Sequence, residues 1–190
     1  MNYFVIDVET PNQYNDSICA VGMQTIDDGI VTNEYYSLVN PETFFLPFNI
    51  SIHGITEDMV RFSPSFPKIW SIIKEMAGDR VFVAHNAPFD INVLIKCINK
   101  YSLEPYEFHY LDTVRIGRSL CKDWPRHCGA FRLPNMSLRL GVELDHHHNA
   151  MSDTRACGGI LMKLLSIYKF NPEDFLSHSS SVKPEAPVLL

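Results

Sequence analysis

Tyr3-Phe4-Val5-Ile6-Asp7-Val8-Glu9-Thr10 decides the fold. Aromatic and β-branched residues crowd its first four positions, the composition of a short buried strand. Two carboxylates, Asp7 and Glu9, interrupt it at its C-terminal end. Residues two apart on a strand share a face. Two acids about 7 Å apart on a buried face repel each other unless a cation lies between them. An ordinary strand end would carry one acid turned to solvent, so this spacing opens two readings, a metal site or a polar strand end.

Outward from this strand, residues 17–26 and 30–39 read as two more, joined by the turn signal Asp27-Asp28-Gly29 as a hairpin. Residues 40–48, with Pro41 and Pro47, read as loop. Phe66, Ile69, Trp70, Ile73 and Met76 follow helical spacing up to Gly78. Residues 80–84 read as a short buried strand, and Pro88 opens a helix with an apolar stripe of Ile91, Leu94, Ile95 and Ile98. A fifth strand is expected over 107–111 and a helix over 112–121. An irregular connection follows over 122–135, then a short helix to Leu140 capped by Asn135 or Ser137. The last helix runs from about Ala150 to Tyr168 on Cys157, Ile160, Leu161, Leu164, Leu165 and Tyr168. Past Asn171-Pro172 the chain turns Ser- and Pro-rich, as a flexible tail does. Strands first, then alternating helix and strand, predict an α/β fold: three α/β/α layers around a mixed five-stranded sheet. The expected domain is 1–170, with 171–190 as the tail.

Composition narrows the function classes. With 190 residues, 46% hydrophobic and 20% charged, the chain can bury one globular core, and disorder is excluded. Asp7 breaks the N-terminal apolar run too early for a signal peptide, and no run approaches a membrane span. Cys19, Cys97, Cys121, Cys128 and Cys157 are odd in number and lack a CxxC pair, which fits reduced cytoplasmic thiols better than disulfides or a zinc ribbon. The net charge of −6 argues against a protein that coats nucleic acid. It hides a segregation, because Arg115, Arg118, Lys122, Arg126, Arg132 and Arg139 face a single acid, Asp123, across residues 115–139. That basic stretch is either a solvated surface or a place to hold a polyanion beside an acidic, cation-binding region.

Two further anomalies match the first. In His85-Asn86-Ala87-Pro88-Phe89-Asp90 a buried strand runs into a helix whose first turn carries Asp90. An acid there complements the helix dipole, yet Asp90 also falls near the inward stripe, where a carboxylate needs a partner. In His148-Asn149-Ala150-Met151-Ser152-Asp153 the acid again starts a helix and tends inward, with His148 in the preceding loop. His146-His147-His148 reads blandly as a polar loop. Together the segments give four carboxylates and a histidine at the ends of separate core elements. Oxygen ligands suit Mg²⁺ or Mn²⁺. Two such ions clamp the attacking and leaving oxygens of a phosphodiester, and histidine can take a proton from water near neutral pH.

On these residues the chain resembles the DEDDh 3′–5′ exonucleases of the DnaQ-like superfamily, which have an RNase H-like fold. Asp7-Val8-Glu9-Thr10 is similar to the first motif, His85 to Asp90 to the second, and His148 with Asp153 five residues on to the third. His53-Gly54-Ile55-Thr56 resembles the HGIT signature of the proofreading branch. The resemblance covers about residues 1–170. It implies Asp7, Glu9, Asp90 and Asp153 as ligands of two divalent cations, Mg²⁺ or Mn²⁺, with Asp7 bridging both and His148 as general base. His146 and His147 miss the five-residue spacing. Thr10, His53, Ile55, Asn86 and Phe89 are the implied contacts to the 3′-terminal nucleotide. Asp112 resembles a structural element of the family. The implied activity is release of nucleoside 5′-monophosphates from single-stranded or frayed DNA. The alternatives are an RNA exonuclease of the RNase T or oligoribonuclease kind and a non-catalytic module that binds nucleic acid or a polymerase. The implied partners are nucleic acid 3′ ends, DNA ahead of RNA, and a DNA polymerase or another replication or repair protein; no membrane is involved. One departure stands out: Pro11-Asn12 follows Thr10 where the family often has Gly, which stiffens the loop.

Overall fold

A computed structural model describes residues 1–126 and 129–181. Cys128 and residues 182–190, the end of the expected tail, lie outside the described residues. The sheet has the order β3-β2-β1-β4-β5-β6. β1 (Tyr3–Glu9) lies inside it, antiparallel to β2 (Ala20–Asp27) and parallel to β4 (Val81–Ala84). β3 (Ile30–Leu38) pairs antiparallel with β2 through the expected hairpin, where Asp28 and Gly29 take φ of 51° and 81°, the positive values such a turn requires. β5 (His109–Asp112) runs parallel to β4.

Period-two alternation along β1 feeds two cores. Phe4, Ile6 and Val8 join α3 (Phe66–Ala77) and α4 (Pro88–Lys100) on one face. Tyr3 and Val5 join α5 (Thr113–Leu120), α6 (Leu133–Leu140) and α7 (Ala150–Tyr168) on the other. This is the expected α/β/α sandwich. The same alternation turns Asp7 and Glu9 toward the side of α7.

Among the described residues the sheet has six strands, not the five expected. β6 (Ser177–His178) pairs antiparallel with β5. The segment expected to be a flexible tail from 171 therefore packs as far as it is described. A 3-10 turn at Pro172–Phe175 sets Phe175 edge-on to Phe170, and Arg115 donates to the Phe175 carbonyl and the Ser177 hydroxyl. Two short helices, α1 (Pro47–His53) and α2 (Glu57–Val60), occupy a stretch expected to begin as loop. α6 starts at Leu133 after Arg132, earlier than a cap at Asn135 or Ser137 would allow, because Pro134 sits in its first turn. Among the described residues, no helix is long and apolar enough to cross a membrane.

Candidate active site

The three carboxylate-bearing elements meet at the C-terminal end of β1. α7 begins there because Asn149 caps it, accepting the N–H groups of Met151 and Ser152 at 3.2 and 3.1 Å. Asp153 follows in the first turn, buried. Gly22, which pairs with Asp7 in the sheet, lets α7 approach; a Cβ there would lie 2.2 Å from the Ala150 carbonyl oxygen. Asp90, in the first turn of α4, is buried and accepts the Val8 N–H at 3.3 Å.

Carboxylate oxygens of Asp7, Glu9 and Asp153 all lie within 4.8 Å of one another. Burial first, then the charges of Asp90, Glu9 and Asp153, push the Asp7 carboxyl far above the usual range. Burial, Asp153 and Asp90 raise Glu9 to about 8. Burial raises Asp90 to about 8, although the Val8 N–H pulls the other way. No Lys or Arg ion-pairs with these acids among the described residues. An uncompensated buried charge costs several kcal/mol or more, so the chemistry of this donor set fits hard divalent cations. Asp112 plays a different part. It accepts the N–H groups of Val114 and Asn86 at 2.9 and 3.0 Å, capping α5 and fixing the turn before α4.

The histidines divide their roles unexpectedly. His148 gives its backbone N–H to Asp153 Oδ2 at 3.0 Å from a left-handed φ of 67°. Its ring lines the cleft, its pKa lowered by burial and by the His147 charge. His147 stacks on it, ring centroids 3.8 Å apart, and places Nδ1 3.0 Å from Asp153 Oδ2. Sequence spacing assigned His147 no role, and three consecutive histidines carry no local signal that separates them. His146 offers Asp153 no side-chain contact among those described; its N–H donates to the Ser152 hydroxyl.

A cleft of about 430 Å³ opens over the carboxylates, lined by Thr10, His53, Phe89 and His148 among others. His53 Nδ1 accepts the Ile55 N–H at 3.0 Å, which leaves Nε2 to donate to the Thr10 carbonyl at 3.2 Å. Asn49 holds the same carbonyl at 2.9 Å. Two expected contacts do not face this cleft. Ile55 is only 6% exposed and packs with Cys19, Ala20, Val60 and Ala150, so it positions His53 from behind. Asn86, at φ 65°, faces a neighbouring cleft. Leu46, Phe48 and Ile52 of the α1 region line the wall instead, with Gln13, whose buried Oε1 has no hydrogen-bond partner among the described residues.

Residues 4–161 match a family model described as exonuclease. Among curated proteins, a PolC-type DNA polymerase III of Bacillus cereus is 32% identical over 165 residues, 86% of this chain and 11% of that protein. The chain thus spans about a tenth of the length of the polymerases it matches. Among solved structures, exonuclease X in complex with 5′-overhanging duplex DNA superposes with TM-score 0.72 at 24% identity, over 91% of this chain and 96% of that one. The nuclease domain of 3′hExo bound to rAMP, described as a DEDDh family member, gives TM-score 0.74 at 17% identity, over 90% and 94%. Both share the α/β/α fold.

Proposed function

We propose a two-metal mechanism on DNA for this chain, which belongs to the exonuclease family and is a DnaQ-like 3′–5′ exonuclease. The convergence of four mutually repelling carboxylates from β1, α4 and α7 carries the reading. Asp7, Glu9, Asp90 and Asp153 would hold two divalent cations, Mg²⁺ or Mn²⁺. Bound there, such ions supply Lewis acidity to the attacking and leaving oxygens of a phosphodiester.

The chain's own groups do the rest. The 3′-terminal nucleotide enters the cleft, where Phe48, Ile52 and Phe89 offer apolar surface to its base and sugar. His53 and Asn49 hold the Thr10 carbonyl, which fixes the strand-end loop against that nucleotide. His148 is the general base. Burial favours its neutral ring, which takes a proton from water, while its backbone N–H keeps Asp153 in place. The products are a nucleoside 5′-monophosphate and a strand one nucleotide shorter.

The favoured substrate is single-stranded or frayed DNA. Support comes from His53-Gly54-Ile55, with Gly54 at φ 73° ending α1 so that His53 turns into the cleft, and from relatives that are DNA polymerases. The reading extends to a DNA polymerase or another replication or repair protein as partner and to the cytoplasm, where Cys19, Cys97, Cys121 and Cys157 stay reduced and buried. It keeps residues 1–170 as the exonuclease domain, with Pro172–Ser181 docked on the sheet edge.

A digestion ladder tests it. Matched 5′-labelled DNA and RNA oligonucleotides are incubated with Mg²⁺, Mn²⁺ or EDTA. Stepwise 3′ shortening of DNA, abolished by EDTA, is expected. Faster shortening of RNA would reverse the choice of sugar, and no shortening of either would leave a binding module.

A further inference from the structure

A second cleft, of about 480 Å³, adjoins the acidic one, and His85, Leu133 and His147 line both. Its chemistry is opposite. Arg118 from α5, Arg126, and Arg132 just before α6 face it, together with Asn86 and Phe131. The guanidiniums of Arg118 and Arg126 lie 5.9 and 5.5 Å from the centroid of the Phe131 ring. Arg126 also donates to the Arg118 and Cys121 carbonyls at 2.9 and 3.4 Å. No acid pairs with any of the three among the described residues. Like charges held in one cleft repel until an anion joins them, and the planar guanidinium fork matches phosphate.

The structure separates these three from the rest of the basic stretch. Arg115 fastens the Phe175–Ser177 segment. Arg139 lies 5.3 Å over the Trp124 ring, and Lys122 does not line the cleft. His85 binds the two clefts into one unit. Nε2 donates to the Phe131 carbonyl at 3.0 Å and Nδ1 meets the Thr113 hydroxyl at 2.8 Å, so the arginine cleft is tied to the end of β4 beside Asp90.

We propose that the arginine cleft is a second substrate subsite, which holds internucleotide phosphates of the strand on the 5′ side of the scissile bond. This rests on the exonuclease reading. With the terminal nucleotide in the acidic cleft, the strand has to leave past one wall. The wall formed by Leu46, Phe48 and Ile52 is apolar, whereas the one shared at His85, Leu133 and His147 opens on guanidiniums that no described acid neutralises. Asn86, which faces the arginine cleft, supplies a neutral donor there. Such contacts position the strand and carry no sequence information. The subsite therefore shows itself as a dependence on length and salt.

The test is steady-state hydrolysis of 5′-labelled dT2, dT4, dT8 and dT12 with Mg²⁺ at several salt concentrations. For the wild type, KM should fall as the oligomer lengthens. Arg118→Ser should erase much of that fall and flatten the slope of log affinity against log salt by about 0.7 for each phosphate no longer neutralised. Arg118→Lys should restore most of the slope, because an ammonium still binds phosphate as a point charge. Arg132→Ser is the second variant; its guanidinium fastens no other segment among the described residues, so its loss spares the fold. If the wild type digests dT12 and both Ser variants keep its length dependence and salt slope, the subsite is refuted and the exonuclease stands. If the wild type shortens neither these oligomers nor matched RNA, the exonuclease reading fails and takes the subsite with it.

Discussion

The His148 backbone N–H holds Asp153 Oδ2 at 3.0 Å, so the proposed base and a proposed metal ligand are fixed by one loop geometry. A side-chain substitution at 148 leaves that bond intact. His148→Ala should therefore lower kcat by the ~10²–10⁴-fold typical of a general base while largely keeping metal affinity. His146→Ala should do little. His147→Ala removes the Nδ1 contact to Asp153 and should change metal affinity more than kcat at saturating metal. Single-turnover rates and metal titrations of the three variants separate these outcomes; equal losses at 146 and 148 would reject His148 as the base.

Removal of a carboxylate should cost activity without costing the fold. Asp7→Ala and Glu9→Ala should each reduce metal-dependent hydrolysis by orders of magnitude. Neither side chain fills a hydrophobic core, and each loss relieves repulsion among the acids. Circular dichroism and rates on freshly purified protein check both halves. Wild-type rates in both variants would sink the metal site.

Charge repulsion also sets the pH response of the metal-free protein. Glu9 and Asp90 have ordinary values of 4.5 and 3.8 when unfolded and about 8 when folded. Below about pH 4 both states keep the protons, and nothing is lost. Between there and about 8 the unfolded chain releases protons that the folded state still holds, so a rise in pH favours unfolding. Metal-free stability should thus fall across that window and level off above it. Saturating Mn²⁺ or Mg²⁺ should raise Tm, most at the alkaline end, since binding to the folded state alone is worth about 2.7 kcal/mol per site at 100 times Kd. Asp90→Asn keeps an acceptor for the Val8 N–H and removes a charge. It should raise the metal-free Tm and blunt the metal response in thermal scans with EDTA and with Mn²⁺.

The elements that build this site differed in how plainly the sequence showed them. β1, α4 and α7 bury apolar stripes, so periodicity marked them, and Asp7, Asp90 and Asp153 stood out as acids on inward faces. α1 buries no residue and leaves Phe48 72% exposed, so no stripe marked it, although Pro47 at its start was a local signal. β6 is two polar residues with no pattern of their own; it exists because His178 and Ser177 pair with His109 and Tyr110 of β5, far away along the chain. The expectation for Ile55 and Asn86 rests on motif position, which does not tell which way a side chain turns. Ile55 points into a small apolar cluster, and the positive φ of Asn86 swings it to the arginine cleft.

The close approach of β2 and α7 sets Asp153 against Asp7. Gly22 sits opposite Asp7 in the sheet, beneath the first turn of α7. A methyl group there would meet the Ala150 carbonyl oxygen at 2.2 Å and the Thr154 hydroxyl at 2.7 Å. Backbone cannot swing aside as a side-chain tip can, so α7 has to shift outward at its N-terminus. Overpacking of this kind costs about 1–3 kcal/mol or more, and about 2–4 °C of Tm per kcal/mol is usual at this size. Gly22→Ala should lower Tm by several degrees and also lower kcat at saturating metal, because Asp153 and His148 move with the helix start. Gly158 on the same helix is the comparison. Its added Cβ meets the Gln24 Oε1 at 2.4 Å, the end of a flexible side chain beyond the turn that carries Asp153. Gly158→Ala should cost stability with a smaller loss of kcat per degree of Tm lost. If Gly22→Ala kept the wild-type rate while losing stability as Gly158→Ala does, the approach would serve packing alone.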